Sequence, residues 1–98
     1  MDISITGRHV SIDDNVREYI RTKLSRLRRI FDRVISVSAV IEQDHGSHVV
    51  ELVASVPHGN PISARSEGPD LRRSIDVADQ KLEAQIRAFK ERLQNHRA

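Results

Sequence analysis

Apolar and polar residues alternate in four segments of the chain, and this period of two is typical of half-buried strands. The segments cover residues 1–6, 35–41, 48–56 and 62–66. The second and third are joined by a turn of sequence DHGS, and the third and fourth by a turn that contains two prolines and a glycine. The pattern therefore predicts four strands, of which the last three follow one another directly.

Two other segments repeat apolar residues every three or four positions, which is the period of a helix that packs on a core. Asp13 and Asp70 stand just before these segments and are suited to cap the helices. The first stripe consists of Val16, Ile20, Leu24, Leu27 and Phe31, a predicted helix of roughly 18 residues. The second consists of Leu71, Ile75, Ala78, Leu82, Ile86, Phe89 and Leu93.

The predicted order of elements is β-α-β-β-β-α, which belongs to the α+β class. Because each strand must bury one face and each helix one stripe, we expect a four-stranded mixed sheet with two roughly parallel helices packed on one face. The first strand, first helix and second strand would form a right-handed parallel crossover, and the other strands antiparallel hairpins. A chain of 98 residues supports one core, so a single domain over residues 1–98 is expected.

Composition excludes several kinds of site. The chain has no cysteine, and its first residues, MDISITGRH, resemble neither a signal peptide nor a membrane span, so a cytoplasmic protein without a membrane partner is expected. Among the histidines only His45 and His48 are close in sequence, and no second cluster completes a metal site. No nucleophile elbow or phosphate loop is present. We therefore expect no metal, no cofactor and no enzyme activity.

Cationic residues are concentrated on the two predicted helices. Of 16 basic residues 13 are arginine, and residues 21–33 hold six bases against one acid, Asp32. Helical winding at ~100° per residue places the cations on the flanks of the apolar stripes. On the first helix one flank holds Lys23, Arg26 and Arg29, and the other Arg17, Arg21 and Arg28. On the second helix one flank holds Arg73, Lys81 and Arg92, and the other Arg72, Arg87 and Lys90.

The simplest interpretation of these cations is an ordinary solvated surface. Helical pairs such as Glu83 with Arg87 contribute only ~0.2–0.5 kcal/mol each, however, and cannot neutralise residues 21–33. A polyanion that lies between the basic flanks is therefore favoured. RNA recognised through its shape and backbone fits better than a single strand, because Tyr19, Phe31 and Phe89 lie at or near the apolar stripes. A general double-stranded RNA binding module and a protein with an acidic protein partner remain open.

The sequence also resembles a known family. The segments "ISITGRHVSID", "VREYIRTKLSRLRRIFDR" and "SARSEGPDLRRSIDVADQKLEAQIRAFKERL" are similar to the bacterial ribosome hibernation-promoting factors and to their relative, the ribosome-associated inhibitor. The resemblance runs from Met1 to about Leu93 and is closest to the short type, which has no C-terminal dimerisation domain. It implies a fold similar to double-stranded RNA binding domains. It also implies a protein that binds as a monomer to the small ribosomal subunit and to the whole ribosome. There it would occupy the channel for mRNA and tRNA and inhibit translation in idle ribosomes.

The resemblance further implies which residues contact the small-subunit rRNA. The family's basic positions fall on Lys23, Arg26, Arg29, Lys81 and Arg92. The chain departs from the family at Arg72, where an aromatic residue is frequent, and at Ala84 and Ala88, where further basic residues occur. Arg87 and Lys90 either substitute for the latter two or are only solvated, and we include both in the predicted rRNA-binding set. For short members the resemblance adds a small companion hibernation factor as a partner.

Overall fold

The computed structural model describes residues 1–95, and its elements follow the predicted order. They are β1 (Asp2–Arg8), α1 (Asp14–Ser25), α2 (Leu27–Ile30), β2 (Ser36–Asp44), β3 (Ser47–Ser55), β4 (Ile62–Gly68) and α3 (Leu71–Asn95). The predicted α+β fold is confirmed. Every helix within residues 1–95 is too short or too polar to span a bilayer.

The four strands form one sheet in the order β1-β2-β3-β4. β1 is parallel to β2, and the other two neighbouring pairs are antiparallel, as predicted. The β2–β3 hairpin closes through His45 and Gly46, whose φ angles are 48° and 82°. Positive φ at both central residues gives a turn whose twist matches that of the flanking strands. The sheet therefore has β1 and β4 as its two edges.

The core lies between one face of the sheet and the helices. Inward residues of β2 and β3, such as Val37 and Leu52, pack with Ile20 and Leu24 of α1 and with the apolar stripe of α3. The stripe residues Ile75, Ala78, Leu82 and Ile86 are at most 1% exposed. The helices consequently lie on one face of the sheet, and their opposite sides are open to solvent.

The first predicted helix is broken, which corrects the prediction of one continuous helix up to Phe31. α1 ends at Ser25, and the four-residue α2 follows after Arg26. The Ser25 hydroxyl donates to the carbonyl of Arg21 at 2.6 Å, a contact that bends helices. The apolar stripe nevertheless continues into α2, because Leu27 is fully buried and Phe31 packs edge to face on Phe89 at 5.9 Å.

Ile35 is the first residue of the predicted second strand, where the alternation of residues 35–41 would place it on the apolar face with Val37, but it is 55% exposed. It precedes the first residue of β2, so the alternation of the strand does not fix its direction. Val34, at 4% exposed, fills the core at this point instead.

Helix side chains occupy outward carbonyls on both edges of the sheet. On β4, Lys81 donates to the carbonyl of Arg65 at 3.0 Å and Gln85 donates to that of Ser63 at 2.7 Å. On β1, Arg17 donates to the carbonyl of Ile5 at 3.1 Å. Covered edges are less able to pair with another chain, so these bonds hold the helices in place and also protect the sheet.

Candidate nucleic-acid interface

The solvent side of the helical layer is rich in cations, and most of them form no ion pair with a carboxylate of residues 1–95. Within residues 1–95, four contacts join a basic to an acidic side chain, and three of them lie on the strands or in the β2–β3 hairpin. The fourth joins Lys23 of α1 to Asp76 of α3. The other predicted rRNA-binding residues therefore form no ion pair with the described carboxylates. Of these, the exposed ones are Arg26, Arg29, Lys81, Arg87 and Arg92.

Lys23 belongs to a cluster that joins α1 to α3. Its ammonium lies 3.0 Å from Oδ1 of Asp76, and the same oxygen accepts a hydrogen bond of 2.5 Å from the hydroxyl of Tyr19. Although burial alone would raise the pKa of Asp76, the hydrogen bonds from Tyr19 and Lys23 lower it. The bond to Asp76 raises the pKa of both Tyr19 and Lys23. Asp76 is thus held as a carboxylate between two donors.

Asp79 lies on the same side of α3 but is buried, with 5% of its surface exposed. Its Oδ1 has no hydrogen-bond partner in the described part of the chain. Burial, helped by the nearby charge of Glu83, raises the pKa of Asp79 to about 6, and Lys23 and Arg26 oppose this shift. The side of α3 that faces α1 therefore contains three acids, Asp76, Asp79 and Glu83.

This arrangement corrects the expectation of a groove whose two walls are both basic and repel each other. Lys23 faces a carboxylate, so the walls attract at that point. The cations of α3 are also divided between its two flanks. Lys90 donates to the carbonyl of Ile30 at 3.1 Å and so lies against α2. Lys81 and Arg92 lie on the far flank, where Lys81 contacts β4 and Arg92 lines a cleft that includes Ser63.

The predicted rRNA-binding residues therefore form two groups instead of one groove. We call Lys23, Arg26 and Lys90 the inner group, because they lie where α1 and α2 meet α3. Lys81 and Arg92 form the outer group, beside β4. Arg29 in α2 and Arg87 in α3 are exposed to solvent. An extended anion that lies across the whole helical layer can contact both groups, whereas a narrow ligand between the helices cannot.

Arg72 is a further cation of the inner side that was not included in the predicted set. Its guanidinium carbon lies over the ring of Tyr19, 4.7 Å from the ring centre. Tyr19, Lys23, Arg26 and Arg72 line one cleft on the surface. In the sequence, the only sign that Arg72 is unusual was its departure from the family pattern at this position. Its contact with Tyr19 could not be predicted, because the two residues are far apart in the chain.

The outer face of the sheet has a different character. Its two arginines are paired, Arg8 with Glu42 at 3.0 Å and Arg65 with Glu67 at 3.4 Å. In the hairpin turn, His45 lies 3.4 Å from Asp44, and residues 1–95 contain no group of three side chains able to hold a metal ion. The unpaired positive charge thus lies on the helical side of the molecule.

Comparisons with known proteins identify the family to which the chain belongs. The model of the family described as Sigma 54 modulation protein / S30EA ribosomal protein matches residues 3–94. The ribosome hibernation promoting factors of Salmonella typhimurium and Escherichia coli K12 are each 32% identical over 96 residues, which is 98% of this chain and 100% of the relative. That of Pseudomonas putida is 30% identical and covers 97% of this chain and 92% of the relative.

Two solved structures have the same fold. A ribosomal subunit interface protein from Coxiella burnetii superimposes with a TM-score of 0.86 at 27% identity, over 93% of this chain and 99% of the other. The N-terminal domain of Thermus thermophilus Protein Y gives a TM-score of 0.83 at 31% identity, over 91% and 99%. The helices and the sheet described above are therefore common to these proteins.

Proposed function

The chain belongs to the Sigma 54 modulation protein / S30EA ribosomal protein family, and we propose that it is a ribosome hibernation factor that inhibits translation in idle ribosomes. Relatives over its full length are named for ribosome hibernation, and a structural neighbour is named for the ribosomal subunit interface. Nothing in these comparisons supports the general double-stranded RNA binding module as the alternative. A factor of this kind acts in the cytoplasm, where ribosomes are.

The finer proposal is that the protein binds the small subunit through its rRNA and occupies the channel for mRNA and tRNA. The observation that carries it is the set of helix cations that have no carboxylate partner among residues 1–95, of which Arg26, Arg29 and Arg92 are exposed. Uncompensated arginines are suited to phosphate oxygens, which their planar forks bind in pairs. The two arginines of the outer sheet face are paired with glutamates, so that face offers no comparable surface.

Inhibition by such a protein is competition for space and needs no chemistry. A rigid α+β domain held by several phosphate contacts excludes any other ligand that uses the same passage. Each contact releases counterions, so binding is strong at low salt and weakens steeply as salt is raised. The residues proposed for these contacts are the predicted set: Lys23, Arg26, Arg29, Lys81, Arg87, Lys90 and Arg92. A single ribosome-binding domain that acts as a monomer, with a small companion factor, remains part of the proposal.

Sedimentation with purified ribosomes tests the proposal directly. We expect the protein to pellet with empty ribosomes and with isolated small subunits at about 100 mM salt, and to be displaced by initiator tRNA. A generic RNA duplex of similar length should compete poorly. Failure of the wild-type protein to pellet would refute the proposal, and equal competition by the duplex would favour the module with general RNA affinity. Binding that survives nuclease treatment of the ribosomes would indicate a protein partner instead.

A further inference from the structure

The contact between Arg72 and Tyr19 places a guanidinium over an aromatic ring at the solvent side of α1 and α3. Arg72 is exposed and stands in the first turn of α3, and its guanidinium lies 4.7 Å from the centre of the Tyr19 ring. Tyr19 is fixed in turn by its hydroxyl, which donates to Asp76 at 2.5 Å. The ring and the nearby carboxylate together hold the guanidinium in place, because the positive charge is attracted by both.

A cleft of about 340 Å³ opens beside this pair of side chains. Its lining includes three cations, Lys23, Arg26 and Arg72, and one carboxylate, that of Glu18. The hydroxyl of Thr22 and the amide of Asn15 supply further polar groups. The Lys23 ammonium lies 3.0 Å from Asp76 and 5.6 Å from the centre of the Tyr19 ring, so it stands at the edge of this cleft with one carboxylate partner among residues 1–95. The cleft thus has a flat side suited to an aromatic ligand and a cationic side suited to a phosphate.

We propose that this cleft, the Tyr19–Arg72 cleft, binds one unpaired nucleotide of RNA, with the base stacked on the Arg72 guanidinium and its phosphate at Lys23 and Arg26. The inference rests on the proposed function, because ribosomal RNA supplies the strand. Single-stranded RNA is recognised by stacking of its bases on aromatic side chains and on guanidinium planes. This proposal differs from the expectation that Tyr19, which lies near an apolar stripe, offers no platform for a base, because the Tyr19 ring holds the Arg72 guanidinium on its surface.

A phosphate contact alone does not account for the arrangement. A phosphate can bind to an exposed cation whether or not that cation lies against an aromatic ring. Here the planar group is held against a ring, which reduces the freedom that Arg72 loses when a ligand stacks on it. A matched comparison is available in Arg73, which is also an exposed arginine of the same helical turn but lies beside Glu67 and Gly68 on the other flank.

Ribosome binding by three variants tests the stacking contact. Arg72→Lys keeps the charge but removes the planar group, and Arg73→Lys is the matched control. We expect Arg72→Lys to weaken ribosome binding about tenfold, with the salt dependence of the wild type, since stacking of one base contributes on this scale. Arg72→Ala should weaken binding at least as much and also reduce the salt dependence. Wild-type affinity of Arg72→Lys, or an equal loss in Arg73→Lys, would overturn the inference and leave the proposed function intact.

A second measurement does not depend on the ribosome. Protein labelled with ¹⁵N is titrated with a short oligoadenylate and with an abasic oligomer of equal length and charge, and the Arg72 side-chain resonance is followed. We expect it to shift with the oligoadenylate and to shift much less with the abasic oligomer. Equal shifts would reduce the site to a phosphate contact and overturn the inference. If the wild-type protein failed to bind ribosomes, the proposed function would be wrong. The titration would then show by itself whether the Tyr19–Arg72 cleft binds a nucleotide base.

Discussion

The ammonium of Lys23 lies 3.0 Å from Oδ1 of Asp76, so this predicted rRNA-binding cation already has a partner within the protein. Both side chains are partly exposed, at 24% and 34%, and a pair of this kind contributes about 0.5 kcal/mol to stability. A phosphate that approaches Lys23 must compete with Asp76, whereas one that approaches Arg26 or Arg29 meets no such competitor among residues 1–95. Lys23, Arg26 and Arg29, which lie along α1 and α2, are therefore not equivalent as phosphate ligands.

This difference predicts unequal effects on the salt dependence of ribosome binding. Arg26→Ala and Arg29→Ala should each reduce the slope of log K against log salt by about one unit, because each removes one phosphate contact. Lys23→Ala should reduce it by less. Sedimentation at a series of salt concentrations measures the slopes. Arg8→Ala, which removes an arginine from the opposite face of the sheet, is the control and should leave the slope unchanged. Equal slopes for all four variants and the wild type would show that the wrong residues were chosen.

The hydrogen bond from Tyr19 to Asp76 predicts a coupling between α1 and α3. Tyr19→Phe keeps the ring and removes the hydroxyl, and we expect it to lower the free energy of unfolding by about 1 kcal/mol. Asp76→Asn should have a comparable effect, and the double variant should lose less than the sum of the two, since both changes remove the same bond. Urea denaturation of the four proteins provides this cycle. Additive losses would contradict a direct interaction between the two side chains.

Burial of Asp79 predicts a specific pH dependence of stability. Its pKa is raised from 3.8 to about 6 in the folded protein, so the folded state binds a proton more tightly than the unfolded state. The stabilisation from protonated Asp79 is complete below about pH 4 and is lost as the pH rises to about 6. Asp79→Asn should therefore be more stable than the wild type at pH 7 by about 2 kcal/mol, with the difference vanishing towards pH 4.

Thermal denaturation of both proteins between pH 4 and pH 8 measures this difference. The exposed residue Asp32 offers the control, because Asp32→Asn removes the same charge without a buried carboxylate and should give a small difference at every pH. A stability difference for Asp79→Asn that does not change between pH 4 and pH 7 would show that Asp79 is not desolvated. Asp76, whose pKa is lowered, acts in the opposite direction and stabilises the fold above its unfolded pKa of about 3.8.

The bonds from α3 to the edge of β4 predict that Lys81 and Gln85 both protect this edge from aggregation, whereas only Lys81 contributes to ribosome binding. Each donates to a carbonyl of β4, and only Lys81 carries a charge. Gln85→Ala and Lys81→Ala should both increase aggregation near the unfolding temperature, because exposed strand edges pair with other chains. Only Lys81→Ala should also reduce the salt dependence of ribosome binding. Light scattering on heating measures the first effect and sedimentation the second. If Gln85→Ala also changed the salt dependence of ribosome binding, the change in Lys81→Ala could not be ascribed to the lost charge. That result would contradict the assignment of Lys81 as a phosphate contact.

The sequence by itself determined the elements and their order, because a period of two or of three to four depends only on neighbours along the chain. Asp13 caps α1 as expected, with its carboxylate accepting from Val16 at 2.9 Å. The apolar stripe of α3 is buried from Ile75 to Ile86 as predicted. The excess of arginine over acid in residues 21–33 was also visible in the sequence, since it is a matter of composition.

Tertiary structure alone decided how the charges are arranged. Helical winding separates Lys81 and Arg92 from Lys90, but it does not say which flank of α3 faces α1, and that choice gives Lys23 its partner Asp76. The contact of Arg72 with Tyr19 joins residues that lie more than fifty positions apart, and no local pattern encodes it. Burial of Asp79 and the direction of Ile35 likewise depend on which elements pack around them. Distances between residues remote in sequence are set by the packing of the whole core, and the chemistry of this surface depends on those distances.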